Sequence, residues 1–347
     1  MRAKTIVLAT TAGAALTIGA GAAQAASGPP PPPTATGGQT VKQIASGLQT
    51  PTSFAVGAGK VFEGDGGSES SKIPNGGVFL LSGGKGVKLP GPQFVSGLAW
   101  HKGALYVAGG TITKKGPKWQ VQRWSGFNGT KFASRKAIWT GPKGFDGTNG
   151  IAFAPNGRLL LGVDVGLTND NDHGPANKTP FLYKILSMKA DGSGVQTFAS
   201  GMRQPWQLAF AKGSAAPFVS DLGQNGPKSV KNPPDAVLRV KQGDDFGFPK
   251  CNFTKGSPCK SFAKPFKLFT PHTSIMGMAV IGTRLYMTSF MGPGGKGPGG
   301  EVLSMPVKGG AVKPLVTGFV APTVGLGTNG HSLYIGELTG QIFKVTP

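Results

Sequence analysis

The sequence has 347 residues, of which 58 are Gly and 29 Pro, and helix-interrupting residues at that density argue against a helical protein. Hydrophobic residues make up 38% of the chain and include 21 Phe, enough for a sizeable core and an argument against wholesale disorder. The formal charge of +22 points to polyanionic surroundings without identifying them, and two cysteines exclude a disulfide-dense scaffold or a four-thiolate zinc site.

The first 25 residues read as a signal peptide. Arg2 and Lys4 form a basic start, Thr5 to Ala22 is small and apolar without a charge, and Ala23-Gln24-Ala25 offers a small-x-small cleavage pattern. A retained membrane anchor is the alternative, but this stretch is only weakly hydrophobic. No other uncharged stretch approaches the roughly 20 apolar residues of a spanning helix. The protein is therefore expected outside the cytoplasm, secreted or in the periplasm or cell envelope. Losing Arg2 and Lys4 leaves 34 basic residues against 14 acidic ones, a mature charge of +20. Residues 26–40 contain five consecutive prolines, Pro29 to Pro33, and read as a polyproline spacer.

From residue 41 to 347 one unit recurs. A loop ends in a small-apolar step that opens a short strand, a Gly or Asn-Gly turn follows, and an apolar strand resumes. The first strands begin at Phe54-Ala55, Leu98-Ala99, Ile151-Ala152, Leu208-Ala209, Met278-Ala279 and Leu326-Gly327. Second strands follow at Lys60, Ala104, Arg158, Pro217, Arg284 and Ser332, and third strands at Gly77, Leu182, Ala236, Glu301 and Gln341. Short strands at such a period are the mark of propeller blades, so the predicted fold is an all-β, six-bladed β-propeller rather than a sandwich. The last unit supplies three strands. Val41-Lys42-Gln43-Ile44 is expected to provide its fourth and close the ring, which removes an exposed edge.

In such a propeller the loops that lead into first strands share a face with the loops that leave second strands. Five of the 14 acidic residues fall there: Glu63, Asp65, Asp164, Asp221 and Glu337. Oxygen ligands of this kind suit Ca2+, with Asp164 and Asp221 the candidate metal ligands. The alternative is that each carboxylate accepts backbone N–H bonds in its own turn.

Ile151-Ala152-Phe153-Ala154-Pro155-Asn156-Gly157, Ala190-Asp191-Gly192-Ser193-Gly194, Phe198 to Pro205, Asp221-Leu222-Gly223-Gln224-Asn225, Gly243 to Pro249, His272 to Ala279 and Gly340 to Val345 follow one another in a fixed order. Over residues 140–347 this text resembles the glucose/sorbosone dehydrogenase family of quinoprotein propellers. The resemblance implies oxidation of a carbohydrate hydroxyl by hydride transfer to pyrroloquinoline quinone held with Ca2+, on a small sugar substrate; the chain is expected to be a monomer. The family's histidine base falls here on Asp146, with Asn149 beside it, and its Arg-Asn pair on Arg203 and Gln204. By that carry-over Asp146 and Arg203 are candidate catalytic residues, and Arg203, Gln204, Asn149 and His272 candidate cofactor ligands. His173, in the Asn- and Asp-rich loop Asn169 to His173, is a further catalytic candidate, whereas His101 and His331 sit in turns. The family's fifth-blade histidine motif is replaced by the glycine-rich stretch from Met291 to Gly300. A carboxylate with an ordinary pKa of about 4 is a weaker base than imidazole at neutral pH. A propeller that has lost turnover and binds carbohydrate or an anionic envelope polymer is therefore the competing expectation.

Asn149-Gly150-Ile151-Ala152-Phe153 also resembles a segment of gluconolactonase-type propellers in which Asn binds the metal. Cys251 and Cys259 lie where family members often carry cysteines, and in an exported protein a disulfide is expected between them. Export also sets nucleic acid aside as a partner, since Lys and Arg are spread over all blades.

Overall fold

The computed structural model describes residues 31–68, 75–165, 179–224, 232–292, 297 and 299–347. The expected signal peptide and His173 lie outside the described residues. Among these residues regular structure is all strand, arranged as six blades around one axis. Two strands precede the first blade, β1 (Thr34–Ala35) and β2 (Val41–Ala45). Blade one holds β3 (Pro51–Gly57), β4 (Lys60–Asp65), β5 (Gly77–Ser82) and β6 (Lys85–Leu89). Blade two holds β7 (Phe94–His101), β8 (Ala104–Thr113), β9 (Gly116–Phe127) and β10 (Phe132–Thr140). Blade three holds β11 (Thr148–Phe153), β12 (Leu159–Val163), β13 (Lys184–Met188) and β14 (Gln196–Ser200).

Blade four follows with β15 (Pro205–Ala209), β16 (Phe218–Asp221), β17 (Asp235–Arg239) and β18 (Lys267–Phe269). Blade five has β19 (Ile275–Ile281), β20 (Arg284–Ser289), β21 (Glu301–Pro306) and β22 (Lys313–Thr317). The last blade has β23 (Thr323–Thr328), β24 (Leu333–Glu337) and β25 (Ile342–Val345). Its fourth strand is β2, paired antiparallel with β25 from Val41↔Val345 to Ala45↔Ile342, as the sequence led us to expect.

The stretch expected as a spacer is not free along its whole length. Thr34 pairs with Thr317 and Ala35 with Val316, so β1 is a fifth strand on blade five. Thr36 extends the contact, its N–H donating to the Leu315 carbonyl at 2.9 Å. The polyproline run ends at Pro33, and Thr34 is the first residue whose backbone recovers an N–H for a sheet.

The innermost strands are β3, β7, β11, β15, β19 and β23. Each pairs with the second strand of its blade through a register shift at the same place, between Pro51 and Ser53 in blade one and between Thr323 and Leu326 in blade six. A bulge there twists the strand where six of them converge. The convergence is tight. A Cβ on Gly277 would come within 2.5 Å of the Leu326 nitrogen, and one on Gly97 within 2.8 Å of the Ile151 nitrogen. Gln207 spans the axis, its Nε2 donating to the Thr52 carbonyl at 3.4 Å and the Ser96 carbonyl at 3.0 Å. Beneath it lies a cavity of about 210 Å³ ringed by Phe54, Leu98, Ile151, Leu208, Met278 and Leu326. These six are the residues with which the repeat announces itself in the sequence.

Candidate functional site

The second strands end on one face, and their last residues hold equivalent positions. Asp65 lies opposite Pro51, Asp221 opposite Pro205 and Glu337 opposite Thr323. Their carboxylates cap the loop that leads into their own blade. Asp65 accepts the N–H groups of Gln49 (2.8 Å), Thr50 (3.2 Å) and Gly67 (2.6 Å). Asp221 accepts from Gln204 N (2.7 Å) and Arg203 N (3.3 Å), and Glu337 from Ala321 N (2.8 Å). The turn reading of these three acids therefore holds: they are bonds that orient the rim loops.

Over blades three to five the rim carries a connected polar network. Gln204 Nε2 donates to Asp164 Oδ2 at 3.4 Å, while Arg203 Nη1 donates to Gln204 Oε1 at 3.3 Å. The same Nη1 reaches the carbonyls of Gly223 (3.1 Å) and Leu222 (3.4 Å). Gly223 N and Ser274 N donate to the two oxygens of Asp235, each at 2.8 Å. His272 pairs with Asn232 at the outer end of this line. On the other side, Asp164 N donates to the Gly147 carbonyl at 3.0 Å, and Thr179 Oγ1 donates to Asp146 Oδ2 at 3.1 Å. Asn149, on β11, is buried with neither side-chain polar atom bonded.

Burial sets the electrostatics. It pushes the Asp221 carboxyl up to about 7, against the pull of the Gln204 and Arg203 N–H groups and the Arg203 charge. Asp235 is raised by burial too, opposed by the N–H groups of Ser274 and Gly223 and then by the charges of His272 and Arg203. Glu63 is fully buried in blade one, and burial, then the charge of Asp65, holds it well above the usual carboxylate range.

Asp146, Asp164, Arg203, Gln204, Asp221 and His272 thus belong to one rim, with Asn149 just beneath it. Reasoning from sequence passed over Asp235, Asn232 and Thr179. Asp235 opens a third strand rather than following a second one, and its signal was the acidic segment Asp235-Ala236-Val237, which aligns with an acidic segment of the resembled family.

The described residues do not fit the quinone and Ca2+. Among them no group of three or more His, Cys, Asp or Glu could hold a metal ion. Ca2+ takes six to eight oxygens, whereas both oxygens of Asp221 face backbone N–H groups. Arg203, the cation closest in the family pattern to a cofactor ligand, is 2% exposed and bonded to main-chain carbonyls. The expected disulfide between Cys251 and Cys259 is present, closing the loop that follows Phe248-Pro249.

No protein-family model matches the sequence, and no curated protein matches it. Solved structures do. A glucose dehydrogenase-type oxidoreductase from Thermus thermophilus is 18% identical, over 89% of this chain and 100% of that one, with a TM-score of 0.67. A Trichoderma reesei protein of carbohydrate-active enzyme family AA12 is 16% identical over 91% and 98%, with a TM-score of 0.69. A gluconolactonase from Xanthomonas campestris is 14% identical over 92% and 95%, with a TM-score of 0.56. At these identities the likeness establishes the propeller fold, and the neighbours include a glucose dehydrogenase-type oxidoreductase and a gluconolactonase.

Proposed function

We propose that this chain is an exported, carbohydrate-directed propeller of the glucose/sorbosone dehydrogenase type that takes a small sugar on the rim over blades three to five. The observation that carries the reading is the Gln204–Asp164 bond, which ties blade four to blade three beside Asp146. Half-buried carboxylates and an amide gathered there supply the mixed donors and acceptors that sugar hydroxyls engage. In the oxidative form of this reading Asp146 takes the proton of the sugar hydroxyl, and the hydride passes to an acceptor that the described rim residues do not themselves hold. The neighbours in fold support sugar chemistry, and the motif order in residues 140–347 supports oxidation.

A second reading is favoured by one observation. Arg203 is spent on the Leu222 and Gly223 carbonyls, so the rim's main cation serves the fold rather than a cofactor. In this form the propeller binds a carbohydrate or an anionic envelope polymer without turnover.

The test adds pyrroloquinoline quinone and Ca2+ to the purified protein, follows dye reduction across a panel of sugars, and titrates sugar and quinone binding calorimetrically. Turnover that is lost in Asp146→Asn with quinone still bound supports oxidation. Sugar binding weakened by Gln204→Ala, with no quinone bound, supports the second reading. No turnover and no sugar binding would remove the rim assignment.

A further inference from the structure

On the face opposite the rim, blades two and three enclose a cleft of about 410 Å³ lined by His101, Lys102, Tyr106, Arg123, Lys136 and Asp191 among others. We propose that this cleft is a second binding site, separate from the rim, for a polyanionic chain bearing carboxylate or phosphate groups.

The register of blade two builds it. Tyr106 on β8 lies opposite Arg123 on β9, and Arg123 lies opposite Lys136 on β10. Residues directly opposite one another project from the same face of a sheet, so the two cations stand side by side, an arrangement that is unfavourable without a counter-ion. Lys102, in the β7–β8 turn, adds a third cation, held at a φ of 45°.

None of the three side chains makes a hydrogen bond, ion pair or aromatic contact among the described residues, whereas every other described arginine makes a hydrogen bond or a cation–π contact. Arg135 stacks over Trp124 and Arg239 over Phe218; Arg158 bonds Ser187 and Gly194, Arg284 bonds Ser304, and Arg203 serves the rim. The one acid lining the cleft, Asp191, is engaged by its own turn, accepting from Ser193 N at 2.9 Å and Ser193 Oγ at 2.7 Å.

One wall is aromatic. His101 stacks on Phe153 with ring centroids 3.8 Å apart and 9° between planes, and Phe153 packs edge-on against Tyr106. The volume is within the range of pockets that hold small ligands. An aromatic wall with three unneutralised cations recognises an anion by charge, and a chain of anions better than one.

Polygalacturonate and polyphosphate are the probes, titrated calorimetrically into the full chain at several salt concentrations around 0.15 M. Arg123→Gln with Lys136→Gln should weaken binding roughly tenfold or more and reduce the log–log salt slope by about two. Lys42→Gln with Lys344→Gln removes the same net charge from an opposed pair on blade six and should leave the affinity within about twofold. Preference for one probe identifies carboxylate or phosphate as the anion, and binding of either supports the site. Equal weakening by both double variants would show a diffuse charge effect and overturn it, as would no binding by the parent protein. Rim variants leave this binding unchanged, so failure here is distinct from failure of the sugar reading.

Discussion

Glu63 shows how far one side chain can depart from what its type suggests. It is a charged residue by composition, yet it is fully buried with neither carboxyl oxygen bonded. An isolated carboxylate in such a place is costly, and the group holds its proton instead. The unfolded chain releases that proton near pH 4.3, whereas the folded chain keeps it to a higher pH. The folded state therefore binds more protons above about pH 4.3, and its stability falls as pH rises from there. Asp221 acts in the same direction between its ordinary value of 3.8 and about 7. Glu63→Gln is expected to raise the melting temperature at pH 7.5 and to give no advantage at about pH 4. Thermal unfolding at the two pH values checks this, and a lower melting point at pH 7.5 would mean that the carboxylate is charged and partnered. The sequence places Glu63 among the rim acids because the second strand reads as ending at Phe62, whereas β4 runs on to Asp65 and Glu63 lies within it. A count of acids by loop does not register the burial of a residue inside the strand.

At the scale of elements, two closures hold the ring and its rim. The first is β2 on β25, the only contribution of the N-terminal half to blade six among the described residues. Removing residues 1–45 should leave β25 as an open edge, with a large fall in melting temperature and higher-order species on size exclusion. Removing residues 1–40 takes away only β1 and should leave a monomeric propeller with a small loss of stability. If both truncations behave alike, β2 does not close the ring. The second closure is the disulfide, which spans a separation of 8 residues and fixes the loop from buried Phe248 to Cys259. Cys251→Ser with Cys259→Ser is expected to cost about 2 kcal/mol in denaturant unfolding, the entropic worth of so short a loop. An unchanged midpoint would show that the loop is held by its packing alone.

The whole molecule depends on what happens at the axis. Among the described residues, Gln207 is the one side chain whose hydrogen bonds join blade four to both blade one and blade two. Gln207→Leu keeps the volume and removes both donors, leaving the Thr52 and Ser96 carbonyls without this partner. A loss of about 1–3 kcal/mol is expected in equilibrium unfolding. An unchanged stability would show that water replaces the amide in the channel.

Strand positions, blade boundaries and the closing strand were legible because they follow from local alternation and from turn residues such as Asn156-Gly157. The ring of Phe54, Leu98, Ile151, Leu208, Met278 and Leu326 was legible for the same reason, since a repeated position in a repeated unit must reach an equivalent place. Even the rim membership of Asp164, Arg203, Gln204 and Asp221 followed from blade order. What the tertiary structure alone decided is how those groups are used. Arg203 turns to main-chain carbonyls, Asp221 caps the loop of its own blade, and Asp235 joins from a position the pattern did not mark. The cleft with Arg123 and Lys136 likewise exists only through strand register and the approach of blade three. Alternation tells on which side of a strand a residue lies, because it depends on one bond direction. Partnership depends on distances between blades, and those are set only when all six have closed around the axis.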